Sequence, residues 1–312
     1  MSRLRFILWT CSLLLVLPLT AQSADISRFV YSGDGRIRII SQKNGTSFSG
    51  HYRRGPAGYD LKALQAIHGV FDAPFDANDM QLSLRFLEFM DFLEDHLRPG
   101  AWITLTSGYR SPEYNRNLRQ KGALAAKASL HQYGMAADLK MEGVSAKRIW
   151  DYVKGLHFGG AGYYHGQSVH LDVGPARSWD ETTSGVGTGI SDDNKLIGIN
   201  TDFDRYLPGE TLTLRFIRMT AFPIGVAADF ELVSLSTEIP SAAALSFKPK
   251  FKRPAQDTCP RFNDIAQMDG IRWRLPDALA PGQYAVQARF CGNPWEQMPP
   301  QIRTPAFTVL AP

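Results

Sequence analysis

The sequence predicts an α+β fold with a mainly antiparallel sheet over residues 25–180, followed by a small all-β, sandwich-like domain over 195–312. Three observations carry this reading. First, Met135, Ala137, Leu139 and Met141 alternate with Ala136, Asp138 and Lys140, and Val169, Leu171 and Val173 alternate with His170 and Asp172. Period two is the signature of strands. Second, helical patterns intervene, the longest with Leu82, Phe86, Phe89, Leu93 and Leu97 on one stripe. Third, past residue 194 helical patterns become scarce. Alternation takes over, in Leu212, Leu214 and Phe216 and again in Tyr284, Val286, Ala288 and Phe290.

Residues 1–24 read as a secretory signal: Arg3 and Arg5 open it, 6–19 are apolar, and Ala21-Gln22-Ser23-Ala24 offers small residues for cleavage. The apolar run falls short of the roughly 20 residues of a membrane-spanning helix. An exported chain without a stable membrane span after cleavage is expected. Losing Arg3 and Arg5 from a net charge of +4 leaves about +2. The basic residues are dispersed, which argues against a nucleic-acid binder. Of three cysteines, Cys259 and Cys291 survive cleavage, and in an exported chain such a pair is expected to form a disulfide.

Residues 25–57 read as β-structure with turns at Gly33-Asp34-Gly35 and Asn44-Gly45. A helix is expected over 59–71, and a longer one over 79–97 with Asn78 and Gln81 as its capping pair. A strand at 102–105 leads to Ser111 and Pro112, a cap and first position for another helix. Ser145 and Gly155 bracket a further helix. The glycines of 159–164 suit a strand that lies close to another backbone, since no Gly-Lys-Ser/Thr follows to make a phosphate loop. The Gly, Ser, Thr and Asp content of 181–194 reads as a linker.

The strand patterns put Asp138 on one sheet face, and His170 with Asp172 on one face of a second strand. His131 lies just before the turn at Gly134. Two histidines and one carboxylate, with a fourth position left open, form the ligand set of a catalytic rather than a structural zinc. Arg110 sits at a strand-to-helix junction, where its guanidinium fork suits a substrate carboxylate, a developing oxyanion or a structural acid.

The segments T-S-G-Y-R-S, S-x-H-x-x-G-x-A-x-D and G-Y-Y…V-H-L-D-V-G-P-x-R-x-W together resemble the D-alanyl-D-alanine-type zinc peptidases (LAS-type metallopeptidases) of bacterial cell-wall metabolism. Within that family the chain looks closest to the exported murein endopeptidase branch, over roughly residues 35–180. The resemblance implies that His131, Asp138 and His170 bind Zn2+, that Arg110 stands beside the site and that Ser129 supports the first ligand. It also implies peptidoglycan stem peptides or cross-links as substrate, and a periplasmic or cell-envelope location. One position departs from the pattern: where many relatives carry a catalytic Glu, three residues before the last ligand, this chain has Gln167. Asp172, two residues along the strand from His170, is the expected general base, with an orienting role as its alternative. Endopeptidase action is expected ahead of D-alanyl-D-alanine carboxypeptidase action, and a non-catalytic wall-binding adaptor is the rival from another class. In 195–312 no residue constellation able to run a reaction is legible.

Overall fold

The computed structural model describes residues 27–56, 58–123, 125–235, 244–252 and 257–311; the expected signal at 1–24 lies outside them. The chain enters through β1 (Arg36–Ser41) and β2 (Ser47–His51), joined at Asn44-Gly45, and a short ladder of β3 (Arg53–Arg54) and β4 (Gly58–Tyr59). Helix α1 (Leu61–Phe71) follows, then α2 (Leu84–Leu97), β5 (Ile103–Ser107) and α3 (Pro112–Gln120). The remainder of this half is β6 (Ala136–Met141), α4 (Ala146–Leu156), β7 (Gly160–Tyr163), β8 (Val169–Asp172) and β9 (Arg177–Asp180).

Seven of these strands form one sheet in the order β2-β1-β5-β6-β8-β7-β9. The sheet is mixed: β1–β5 and β7–β9 pair in parallel, and the other four pairings are antiparallel. Its apolar face packs on the helices. Ile39, Ile103, Leu105 and Leu139 meet Leu64 and Ile67 of α1 and Phe86, Phe89 and Met90 of α2 in one core, all at most 1% exposed. Each such side chain contributes about 1.5–3 kcal/mol of transfer free energy.

Helix starts follow capping chemistry where a cap is free to act. Asp60 accepts from the amides of Lys62 and Ala63, Ser111 from that of Tyr114 and Ser145 from that of Arg148. Helix α2 departs from expectation. It begins at Leu84 rather than 79, and the Asn78–Gln81 capping pair does not form. Residues 76–79 make a turn closed by Asp76, and the next backbone groups are engaged elsewhere. The Met80 carbonyl accepts from Arg215, Leu82 N donates to His68 Nε2, and Ser83 N donates to the Gly134 carbonyl. Groups tied to distant partners cannot also close a first helical turn.

Beyond residue 194 no α-helix occurs among the described residues, only a 3-10 turn at Ile265–Met268. A three-stranded sheet contains β10 (Gly198–Thr201), β12 (Thr211–Ile217) and the strand Ile271–Arg274, while β11 (Arg205–Tyr206) edges a second sheet. The two sheets meet through aromatic pairs: Phe216 with Phe230, and Phe247 stacked on Trp273 at 3.7 Å. Cys259 and Cys291, 32 residues apart, are disulfide-bonded.

Contacts cross between the halves. Arg28 pairs with Glu210, Arg85 with Asp204 at 2.7 Å, and Met219 N donates to Tyr133 Oη at 3.0 Å. The end of the Gly-rich stretch is pinned as well. Asn194, fully buried, bonds the backbone of Thr220 and Ala221. No helix among the described residues is long and apolar enough to cross a membrane.

Candidate metal centre

The register of four strands builds the site. Asp138 on β6 lies directly across from His170 on β8, which lies across from Gly162 on β7, and Gly162 from Trp179 on β9. On the other side, a bulge in β5 between Leu105 and Ser107 brings Ser107 opposite Asp138. Bulges of this kind re-aim side chains beside sites. His131 arrives from outside the sheet, on the 3-10 turn Leu130–Tyr133. Gly134 ends that turn at φ 61, a left-handed conformation, and a Cβ there would stand 1.9 Å from the Gln81 carbonyl oxygen.

His131, Asp138 and His170 thus converge. His131 Nε2 lies 3.3 Å from His170 Nδ1 and 3.5 Å from Asp138 Oδ1, and His170 Nδ1 lies 3.0 Å from Asp138 Oδ1. Ligands about 2.1 Å from one tetrahedral ion stand roughly 3.4 Å apart, so the three atoms suit a single small cation. The outer bonds of the rings agree. His131 Nδ1 is 2.7 Å from the Gly108 carbonyl, which can only accept, so Nδ1 carries the proton and Nε2 a lone pair. His170 Nε2 is 2.9 Å from Asp172 Oδ2, which leaves the Nδ1 lone pair facing inward. Two lone pairs and a carboxylate oxygen pointing at one another repel unless a cation or a proton lies between them. The donor set therefore fits a divalent metal.

Electrostatics acts differently on the three groups. Burial pushes His131 down, favouring the neutral imidazole that a metal requires, against the pull of Asp138. For Asp138 burial acts upward, but His131 and His170 hold the carboxylate well below its usual range. Burial lowers His170, while Asp138 and Asp172 outweigh it and raise the ring.

Arg110 is half committed. Its Nη2 bonds Asp138 Oδ2 at 2.7 Å and its Nε bonds Ser107 Oγ at 3.0 Å, fixing the oxygen of Asp138 that turns away from the histidines. Ser129 precedes the His131 turn at its N-cap, and the Ser129 carbonyl accepts from the Gln132 amide. Gln167 is exposed in the turn between β7 and β8.

Asp172 lies behind His170, wholly buried. His170 Nε2 and Arg177 Nη2 bond its Oδ2, and Gly174 N and Arg177 Nη1 bond its Oδ1. Burial would raise its pKa, but Arg177 and His170 hold it far below the ordinary carboxylate range. The glycine strand makes the space: a Cβ at residue 160 would fall 2.2 Å from Asp172 Oδ2, and one at 162 would fall 2.6 Å from the Trp179 ring. Gly160→Ala is accordingly expected to displace Asp172 and Arg177, lowering metal affinity on the order of 10- to 100-fold by equilibrium dialysis.

Around this group stand residues for which sequence patterning gave no role. Trp179 packs on His170 with ring centroids 5.2 Å apart, Arg177 lies 4.9 Å over Trp179, and Tyr164 Oη accepts from Trp179 Nε1. Burial, with Asp138 adding to it, raises the Tyr164 phenol and keeps it a proton donor. Arg177 and Trp179 occupy the last two fixed positions of the G-P-x-R-x-W motif, which was their only signal.

Residues 33–179 match the family described as Peptidase_M15_2, peptidoglycan L,D-endopeptidase MepK. That segment resembles this family. The chain is also similar to the peptidoglycan L,D-endopeptidase MepK of Escherichia coli (strain K12), 41% identical over 78 residues, covering 25% of this chain and 43% of the relative. A probable peptidoglycan L,D-endopeptidase MepK of Haemophilus influenzae is 36% identical over 80 residues, with the same coverages. The chain spans less than half the length of these relatives. Among solved structures, a Pseudomonas fluorescens alkylpurine DNA glycosylase AlkC covers 80% of this chain and 72% of its own at a TM-score of 0.24 and 14% identity, too low to carry an argument.

Proposed function

We propose that this chain is an exported zinc peptidase that hydrolyses an amide bond between L- and D-configured residues in peptidoglycan cross-links. Residues 25–180 would form the catalytic domain, 181–194 the linker and 195–312 the all-β domain. The observation that carries the reading is the convergence of His131 Nε2, His170 Nδ1 and Asp138 Oδ1 within 3.0–3.5 Å, with both ring protons directed outward. The match of residues 33–179 to the MepK family model supports both the substrate and the export.

Zinc held by these three side chains would supply Lewis acidity toward the scissile carbonyl and toward water. The protein's own groups do the rest. Arg110 anchors Asp138 through Nη2, and its Nη1, without a hydrogen bond among the described residues, is free to donate to the carbonyl oxygen as charge develops there. Asp172 takes the orienting part rather than that of the base. All its acceptor directions are filled, and its depressed pKa makes it a poor proton acceptor at neutral pH. Tyr164, protonated at the cleft edge, offers a second donor to the substrate.

The test is mass spectrometry of muropeptides after intact sacculi are incubated with the mature protein, with and without a chelator. Chelator-sensitive loss of cross-linked dimers is the expected result, and the product masses identify the bond. Release of a terminal alanine alone would replace the reading with a carboxypeptidase. No release at all by zinc-loaded protein would replace it with a wall-binding adaptor.

A further inference from the structure

Buried arginines in this protein have acceptors. Arg53 bonds Glu88, Ser32 and the carbonyls of Gly33 and Gly55. Arg85 pairs with Asp204 and Thr201. Arg215 reaches Asp269 and the carbonyls of Met80 and Tyr133. Arg218, three residues further on and half-buried, is different: among the described residues no hydrogen bond or ion pair reaches its guanidinium, and its Nε is closed off from solvent. Closing off even part of a cation from water without an acceptor is unfavourable. The backbone of Arg218 is also unfavourable, at φ 60 in the left-handed region that side chains with a Cβ seldom adopt. Two costs at one residue persist only where the surroundings impose them, and they gather at functional sites.

What imposes them here is the docking of the second half on the first. The amide of Met219 donates to Tyr133 Oη, on the same 3-10 turn that carries His131. Arg218 therefore adjoins the residue at the end of the His131 turn, and Arg177 and Asp172 are the charged neighbours that act on it. Asp172 has no acceptor left to offer, since His170, Gly174 and Arg177 occupy its oxygens. Burial and the neighbouring Arg177 lower Arg218 to about 10, which leaves it protonated at neutral pH. Positive charge is thus in surplus around Asp172.

We propose that Arg218, contributed by the all-β half, binds a free carboxylate of the peptide substrate flanking the scissile amide. A guanidinium without a protein partner matches a planar carboxylate through two parallel hydrogen bonds. The inference rests on the peptidase reading and extends it. The second half completes the substrate cleft, and the substrate is selected for an acidic group beside the bond that is cut.

The experiment is steady-state kinetics of zinc-loaded wild type and Arg218→Met on a soluble cross-linked muropeptide dimer and on the same dimer amidated at that carboxylate. Amidation is expected to raise the wild-type KM on the order of 10- to 100-fold. Arg218→Met should raise KM for the acidic dimer by a similar factor, change kcat by no more than roughly twofold, and no longer distinguish the two substrates. Arg218→Gly, which relieves both the backbone strain and the unpaired Nε, should lose the same affinity while unfolding at a higher temperature than wild type. An Arg218→Met enzyme that keeps the wild-type KM, or still discriminates against the amidated dimer, overturns the subsite alone. Wild type inert on both dimers overturns the peptidase reading, and the subsite falls with it.

Discussion

His170→Ala is expected to abolish zinc binding and peptidase activity together. The ring supplies one of three converging donor atoms, and its removal leaves His131 and Asp138, 3.5 Å apart, as a two-ligand site. Two ligands do not hold zinc against water in the way that three pre-oriented ones do. Loss of the metal withdraws several kcal/mol of transition-state stabilisation. At about 1.36 kcal/mol per decade that amounts to a fall of at least roughly 10³-fold in kcat/KM. Thermal unfolding gives a readout independent of catalysis. Wild type should gain up to about 4 kcal/mol of stability when free zinc exceeds its Kd by about 1,000-fold, and His170→Ala should gain almost none. A variant whose melting temperature still climbs with zinc would mean that the ion binds elsewhere, and the His–Asp–His assignment would fall.

Much of this centre is legible from pattern because a strand's period is rigid. Asp138 and His170 each sit among alternating apolar neighbours, so their faces are set before any pairing is known. What alternation cannot supply is the partner. That Asp138 lies opposite His170, and both beside Gly162, depends on register across β6, β8 and β7. Helix starts show the same division. Asp60, Ser111 and Ser145 act through local bonds and their helices begin beside them, whereas the start of α2 is set by His68, Gly134 and Arg215, far along the chain. Arg218 is the extreme case. Nothing in T-L-R-F-I-R-M marks it out from Arg215, and only the docking of one half on the other leaves one arginine saturated and the other without an acceptor.

Asp172→Asn separates orientation from proton transfer, and its effect on stability and zinc affinity should be large. The carboxylate receives four hydrogen bonds, from His170, Gly174 and twice from Arg177, while the amide of Asn offers one acceptor oxygen and turns an N–H₂ group toward donors. Breaking a buried ion pair costs about 3–5 kcal/mol, and the low end applies because the Arg177 side chain keeps 31% of its surface in solvent. The loss is expected near 3 kcal/mol by urea unfolding of the metal-free protein. Its pH dependence has a definite sign. The folded-state pKa of Asp172 is depressed, so its contribution is fully present above the unfolded carboxylate value of about 3.9 and fades as pH falls toward the folded value. Wild type and variant should therefore differ most near roughly pH 5 to 6, where Asp172 is ionised and the His170 ring that it raises is protonated, differ less as pH rises through the titration of that ring, and converge in stronger acid. On the catalytic side, a positioning residue acts through the His170 tautomer, so zinc affinity should drop about 10- to 100-fold and excess zinc should restore much of the activity. A general base predicts the opposite: unchanged zinc affinity, a deficit that no concentration of zinc repairs, and the loss of the acidic limb of the kcat profile. With every acceptor direction of Asp172 filled and its carboxylate shielded behind His170, rescue by zinc is the outcome the geometry requires.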